Sequence, residues 1–517
     1  MMKKKHTILL LLLLLSSVVG TTAQNIRESI ELYTDKNCYI VGERLHISVV
    51  VTPEENASFS KIAYVELTDT AGTVAQTMLW IAKGKGWAEM NIPADLHSGN
   101  YLLVAYTRAM ENGSAEDFAQ KIVSIVNPQH IGRTDNILFL PPEENMNAPV
   151  EKEYKVGQEI MVSLPKDSVQ HIRVVSLVRN NLPTADYTSF HPSLQSGTNG
   201  GICEKEGHIA EAHSAKNILQ ATESRLVMVG KGTYVYDGKK QEDGSWHYYT
   251  GRIHDSQPTL LNGYDSEGQP APLELHSPYA DLHPTSLPDL QVWCTKEELQ
   301  ARAKGARQEE TLSHWLKTDT LAHQMEFLSS TPEYAYDLDE YRKFSTVKEV
   351  LVEFVKGVKK KKVHGVNRLF TRFENENGYS DWPALVLLDG MPVHDMDDIL
   401  EYDARLLKYI EIYNQVFTFG SSVCQGVISF VSHQGRLSNY KLDEGSKLVM
   451  YDFPQDHPQC FMPKSSELST VFWNPCAEGT HVKFSAPSAL GCYQILLQGI
   501  DRKGHYFLSS SQIRITE

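Results

Sequence analysis

Apolar and polar residues alternate with the two-residue period of half-buried strands over much of this chain. Ser29 to Val51 reads as two such runs, separated by Asp35-Lys36-Asn37 and by Val41-Gly42-Glu43. Further strands are predicted at Ile62–Leu67, ahead of a turn at Asp69 to Gly72, at Val74–Ile81, and at Tyr101–Thr107 after His97-Ser98-Gly99. Near the other terminus, Gly491–Gly499 repeats the form of Gly99–Thr107: Tyr493, Ile495 and Leu497 share one face, Gln494 and Gln498 the other. Thr470–Trp473 and His481–Ser485 supply more strands there. The middle adds a strand set from Val156 to Val178, then Arg225–Val229, Thr233–Tyr236 and Ser245–Tyr249, with Asp243-Gly244 as a hairpin turn.

The pattern changes at two places. Thr295-Lys296-Glu297-Glu298 is a capping box opening a polar helical stretch to about Phe327, whose charges predict a solvated helix or tether. From Ala384 an apolar run ends at Asp389-Gly390, a pair suited to a tight hairpin. Asp395 then precedes Met396, Ile399 and Leu400 at helical spacing, Lys408–Tyr413 returns to a β-rich run, and Gly420 and Gly426 lead to a strand at Val427–Val431.

The last segment resembles the plug domain of TonB-dependent outer-membrane receptors. The matching residues are Asp389, Gly390, Pro392, Ile410, Glu411, Ile412, Phe419, Gly420, Gly426, Val427, Ile428 and Gly435, preceded by a helix at Val347–Phe354 and the turn Gly357-Val358. Lys356 stands where the family usually has proline. Asp389, Gly390, Pro392, Ile410, Glu411, Gly420 and Gly426 carry the motif, each in a structural role. The 82 residues after Gly435 fall far short of a receptor barrel of about 22 strands. An eight-stranded barrel of roughly ten residues per strand would consume that tail, which also holds Pro454, Pro458, Pro463, Pro475 and Pro487. A plug-like domain without a pore is therefore expected.

A second resemblance lies near the N-terminus. Thr34, Asp35, Lys36, Tyr39, Gly42 and Glu43, closed by Ser98, Gly99 and Tyr101, are similar to the second macroglobulin domain (MG2) of alpha-macroglobulins. The thioester motif Cys-Gly-Glu-Gln of that family does not occur in the chain, which argues against a covalent protease trap. The strands after residue 201 are similar in placement to the carboxypeptidase-regulatory-like sandwiches that often precede plug domains.

The expected fold is mainly β and multi-domain, with immunoglobulin-like or macroglobulin-like β-sandwiches and a small α/β plug-like domain. The expected divisions are a signal peptide at 1–23, a macroglobulin-like sandwich at 24–130, a second macroglobulin-like strand set at 131–200, a carboxypeptidase-regulatory-like sandwich at 201–290, a helical linker at 291–344, the plug-like domain at 345–437 and a C-terminal immunoglobulin-like sandwich at 438–517.

Lys3, Lys4 and Lys5 before the apolar run Ile8–Leu15 and the exit Thr21-Thr22-Ala23 form a secretory signal. No later run reaches the roughly 20 apolar residues of a membrane helix. Removing residues 1–23 takes the net charge from −15 to −18, which disfavours nucleic acid and anionic membranes as partners. Seven cysteines do not make a disulfide scaffold, although Cys476 and Cys492 flank strands that could bring them together.

No catalytic constellation emerges, and no enzyme, cofactor or metal is expected. The histidines show no HExxH and no pair at metal spacing with a carboxylate partner. Glu204, Glu206 and His208 are too local to make an acid/base pair. Asp395, Asp397 and Asp398 lack the Gly and Glu of a calcium loop and suit a helix N-terminus. Lys359–Lys362 reads as a solvated turn or strand edge, and Trp246, Tyr248 and Tyr249 as sheet packing rather than a sugar platform. The combined resemblances imply an exported protein, in the periplasm or associated with the outer membrane, that binds or scaffolds without catalysis and whose plug-like domain recognises an envelope protein. Peripheral association with the outer membrane is compatible with this. Two rival expectations are a noncovalent macroglobulin-like protease inhibitor or peptide binder, and a glycan-active hydrolase with carboxylates roughly 5 to 10 Å apart.

Overall fold

A computed structural model describes residues 28–517 except 54–59, 129–136, 141–149, 165–169, 180, 198–200, 215–219, 230–233, 252, 268, 296, 308–330, 373–377, 394, 435–436, 438, 457–467, 502 and 504. The signal-type segment 1–23 and Gly435 lie outside the described residues. The molecule is mainly β, built from many small sheets.

The N-terminal unit pairs two sheets. One holds Glu28–Thr34, Arg44–Pro53 and Lys85–Asn91, and the other holds Cys38–Ile40, Ala119–Val126, Gly99–Tyr106, Ile62–Asp69 and Gly72–Trp80, in spatial order. Leu32, Ile47, Val49, Val65, Leu103 and Val123 meet between them. The strand Arg44–Pro53 is buried on both faces, because its other side meets a second layer in which Tyr33 and Val50 pack against Val174 and Trp473.

That second layer departs from the expected divisions. Val150–Lys155, Tyr506–Thr516, Gly491–Asp501, Gln170–Arg179 and Thr470–Asn474 form one five-stranded sheet, so the segments expected as separate units at 131–200 and 438–517 interleave. Gln170–Arg179 lies between Gly491–Asp501 and Thr470–Asn474, pairing with both. Glu159–Ser163 and His481–Ser485 cover the opposite side, enclosing Ile160, Val175, Leu177, Phe472, Phe484, Tyr493 and Ile495. Either segment alone would leave open strand edges and a half-covered apolar face, and pairing across the chain removes both. Cys476 and Cys492 are free thiols.

The central unit sets Lys239–Lys240, Trp246–Gly251, His208–Ser214 and Leu273–Leu275 against Val235–Asp237, Glu223–Met228, Ser256–Tyr264 and Ser446–Asp452. The last strand comes from beyond residue 438, again across an expected boundary. Gly244 turns at φ +88° and the Asp243 carboxylate accepts from the Ser245 N–H, which makes the expected Asp-Gly hairpin.

The helix over 297–307 opens with the expected capping box: Glu298 N–H donates to Thr295 Oγ1 at 3.1 Å and Thr295 N–H to Glu298 Oε2 at 2.8 Å. In place of a solvated tether, its described turns dock. Leu299, Arg302 and Ala306, three to four residues apart, are buried, with Leu299 and Ala306 packed on Cys38, Ile40 and Val126.

The α/β unit has the sheet order Tyr334–Asp337, Leu407–Phe419, Ser422–Ser432, Leu385–Leu388, Met391–Pro392, with Leu385–Leu388 parallel to Ser422–Ser432. The helices Val347–Glu353, opened by a Thr346/Glu349 capping box, and Met396–Glu401, capped by Asp395, pack on it. Val227, Val229 and Leu260 of the central unit belong to the same core, so the α/β unit is fused to its neighbour.

Candidate functional site

Three features of this framework bear on function: a buried charged joint, a polar layer between units, and the residues of the Asp389 motif.

Asp35 and Lys36 lie in the turn before Cys38–Ile40, Tyr39 lies within that strand and Glu43 just after it, and all four are fully buried. Lys36 Nζ donates to Asp35 Oδ2 at 3.0 Å and lies 3.5 Å from Glu43 Oε2. Asp35 also accepts from Tyr39 Oη at 2.6 Å and from Thr470 Oγ1 of the interleaved sheet. Burial alone would raise the Asp35 carboxyl, but Lys36, His46 and the Thr470 and Tyr39 hydroxyls together hold it at about 2, below its ordinary 3.8. Glu43 receives a two-pronged bond from Arg302, Nε to Oε1 at 2.6 Å and Nη2 to Oε2 at 3.0 Å. The motif legible near residue 35 thus ties three elements into one body: the N-terminal sandwich, the interleaved sheet and the docked helix.

A second polar layer joins the N-terminal and central units. Glu204, His208 and Tyr64 form a closed set, with His208 Nδ1 3.0 Å from Glu204 Oε1, Tyr64 Oη 2.9 Å from Glu204 Oε2, and His208 Nε2 2.8 Å from Tyr451 Oη. Sequence spacing gives no pair here, yet the fold makes one. Its members are all buried, which suits a joint rather than a site open to substrate. Arg108 reaches from this layer to Glu211, donating from Nη2 at 2.8 Å. Around Glu211 stand His213, His276 and His247, a grouping that sequence reasoning missed. The legible trace is Glu-x-His on one strand face; His276 and His247 arrive only through cross-strand pairing.

The motif residues gather in the α/β unit. Asp389 (φ +48°) and Gly390 (φ +82°) form the hairpin turn between Leu385–Leu388 and Met391–Pro392, and Pro392 pairs with Leu387. Asp389 does more than turn the chain: buried, its carboxylate accepts from Ser432 N–H at 2.7 Å, Ser432 Oγ at 2.6 Å and Leu437 N–H at 2.7 Å. Ile410 fills the core, and Glu411 accepts from Tyr413 Oη at 3.0 Å. Gly426 (φ +87°) lies so close to Thr371 that a Cβ would fall 2.0 Å from its Oγ1. Gly420 (φ +58°) sits at the tip of the long hairpin against Asp237, whose carboxylate accepts from the Ser421 N–H at 2.6 Å. Beside this core, Val358–Val363 and Val366–Thr371 make a two-stranded ribbon on which Lys359 to Lys362 are exposed.

No protein-family model and no curated protein matches the chain. Similar solved structures include a tetra-tandem repeat in the extending region of a large adhesion protein, at 9% identity and a TM-score of 0.15, covering 95% of this chain and 74% of that one. They also include a Salmonella alpha-2-macroglobulin, at 6% identity and 0.17, covering 96% of this chain and 24% of that one. An Escherichia coli alpha-2-macroglobulin activated by porcine elastase is 8% identical with a TM-score of 0.17, covering 95% and 31%. This chain spans about a quarter to a third of the macroglobulin structures, and likeness at such scores carries no argument about its role.

Proposed function

We propose that this is an exported, non-catalytic binding or scaffold protein of a Gram-negative envelope, in the periplasm or at the outer membrane. Its plug-like α/β unit recognises an acidic envelope protein through the ribbon Val358–Thr371. The observation that carries this reading is the ribbon itself. Four consecutive lysines stand exposed on it in a chain of net charge −15, and among the described residues they enter no ion pair. Lys359 and Lys361 lie over the rings of Tyr379 and Phe370, at 5.4 and 4.7 Å from the centroids, which orders their stems while leaving their charge unneutralised. A cationic patch on an otherwise acidic molecule favours an acidic partner and steers its approach. The core that Val227, Val229 and Leu260 share with the α/β unit, together with the buried joints, supports the scaffold half of the reading, since it ties the ribbon's unit to the central unit and through it to the N-terminal sandwich.

The test is a pull-down from envelope extracts with the full chain and with a K360E/K362E variant. Deleting the unit is a poorer test, because Val227, Val229 and Leu260 would lose their core partners. The reading predicts partners retained by the parent, released by salt and missing from the variant; identical partner sets would defeat it.

A further inference from the structure

We propose that Glu211, His213 and His276 form a three-ligand site for a transition-metal dication of the zinc class, on the exposed face of the central unit. One ligand atom from each of the three lies within 4.8 Å of the others. Glu211 Oε1 and His213 Nε2 are 3.2 Å apart, and the His213 and His276 rings meet at 66° with centroids 5.1 Å apart. Ligands at about 2.0–2.2 Å around a tetrahedral ion stand about 3.3 Å from one another, a spacing that the Glu211–His213 pair already has, while His276 lies within 4.8 Å of both.

The backbone prepares this spacing. Glu211 and His213 alternate onto the same face of His208–Ser214, and the adjacent strand is registered by the pair Ala212–Leu275. His276 N–H donates to the Glu211 carbonyl at 2.7 Å, placing His276 across from Glu211. These are positions on paired strands rather than on long loops, and they hold the three side chains together before any ion arrives.

Arg108 accounts for the remaining carboxylate oxygen. Its Nη2 holds Glu211 Oε2 at 2.8 Å while its Nη1 donates to the Ile209 carbonyl at 3.2 Å. That leaves Oε1 turned to His213 and fixes the carboxylate, the orienting role that outer partners play at metal sites. The guanidinium charge is shared with Glu204, 3.9 Å away. His247 lies 4.0 Å from Oε2, on the Arg108 side, and stands outside the ligand set.

Two imidazoles and one carboxylate suit zinc and neighbouring first-row dications rather than calcium or magnesium, which prefer all-oxygen shells. Three protein ligands leave a fourth position for water or a ligand atom. His276 also lines a cavity of ≈ 320 Å³ with Met78, Tyr279, Val449 and Tyr451, so the site borders a space between the N-terminal and central units.

The test is titration of the chelator-stripped full chain with Zn²⁺ by calorimetry, and with Co²⁺ followed by its visible absorption. The result expected is one equivalent bound with Kd at or below the micromolar range. Affinity should fall at least tenfold in H213A and in H276A, with far-UV circular dichroism unchanged because both histidines are exposed. The chain has 20 histidines, so the comparison with the double variant H213A/H276A decides. Failure of the parent to bind, or equal stoichiometry and affinity in that variant, would overturn the site.

Discussion

Arg302 grips Glu43 across 259 positions of sequence, two guanidinium nitrogens meeting the two carboxylate oxygens at 2.6 and 3.0 Å with both side chains almost wholly removed from water. Removing Arg302 leaves two buried carboxylates, Asp35 and Glu43, sharing the single ammonium of Lys36, an uncompensated interior charge that costs about 3–5 kcal/mol. R302M should therefore lower unfolding stability by about 3 kcal/mol or more in denaturant melts. The double change E43Q/R302M should cost clearly less than the sum of the single changes, since it leaves no lone charge behind.

Asp35 makes the joint sensitive to acid. Its folded pKa of about 2 lies below the ordinary 3.8, so its contribution to stability is complete above about pH 4 and is lost as pH falls through 2. The size of the shift corresponds to about 2 kcal/mol. His46, held below its ordinary value chiefly by burial, also favours unfolding in acid, but from about pH 6.5 downward. The Asp35 share is therefore read between pH 4 and 2. There the stability of D35N should fall less steeply than that of the parent, and parallel curves would show that Asp35 does not carry it.

Asp389 distinguishes a turn residue from an anchor. Asn tolerates the same positive φ, so D389N preserves the hairpin but turns one acceptor oxygen into a donor facing Ser432 and Leu437. A destabilisation of about 2 kcal/mol is expected. A variant as stable as the parent would mean that the carboxylate only turns the chain.

Two glycines with nearly equal φ differ in their surroundings. Gly244, at +88°, has open space where a Cβ would stand, while at Gly426, at +87°, Thr371 occupies it. G244A should cost about 1 kcal/mol of backbone strain. G426A should cost about 2 kcal/mol more, because strand and ribbon must separate. Thermal melts of the two variants compare strain with clash directly.

What could be read from the chain was local. The Asp243-Gly244 and Asp389-Gly390 turns, the capping box at Thr295 and Glu298, and the strands around Ile47 and Tyr493 each depend on residues a few positions apart, and the structure has them. The partner of Glu43 was not legible, because Arg302 sits in a stretch whose charge suggests a solvated helix and only its spacing from Leu299 and Ala306 hints at a buried face. The interleaving of Gln170–Arg179 with Thr470–Asn474 and Gly491–Asp501 was equally hidden. Alternation shows that a strand has a face to bury, but not which strand about 300 residues away will cover it. His276 escaped for the same reason: its neighbours Glu211 and His213 are set by register, not by spacing.

The ribbon's role as the recognition surface is tested most directly by site-specific photo-cross-linking in intact envelopes. A photoreactive residue would be placed at Val366, 44% exposed on the ribbon, and at Val352, 79% exposed on the helix of the same unit. The account predicts a discrete protein adduct from position 366 that disappears in the K360E/K362E background, and none from position 352. Adducts that are the same from both positions, or that survive the charge reversal, would contradict it.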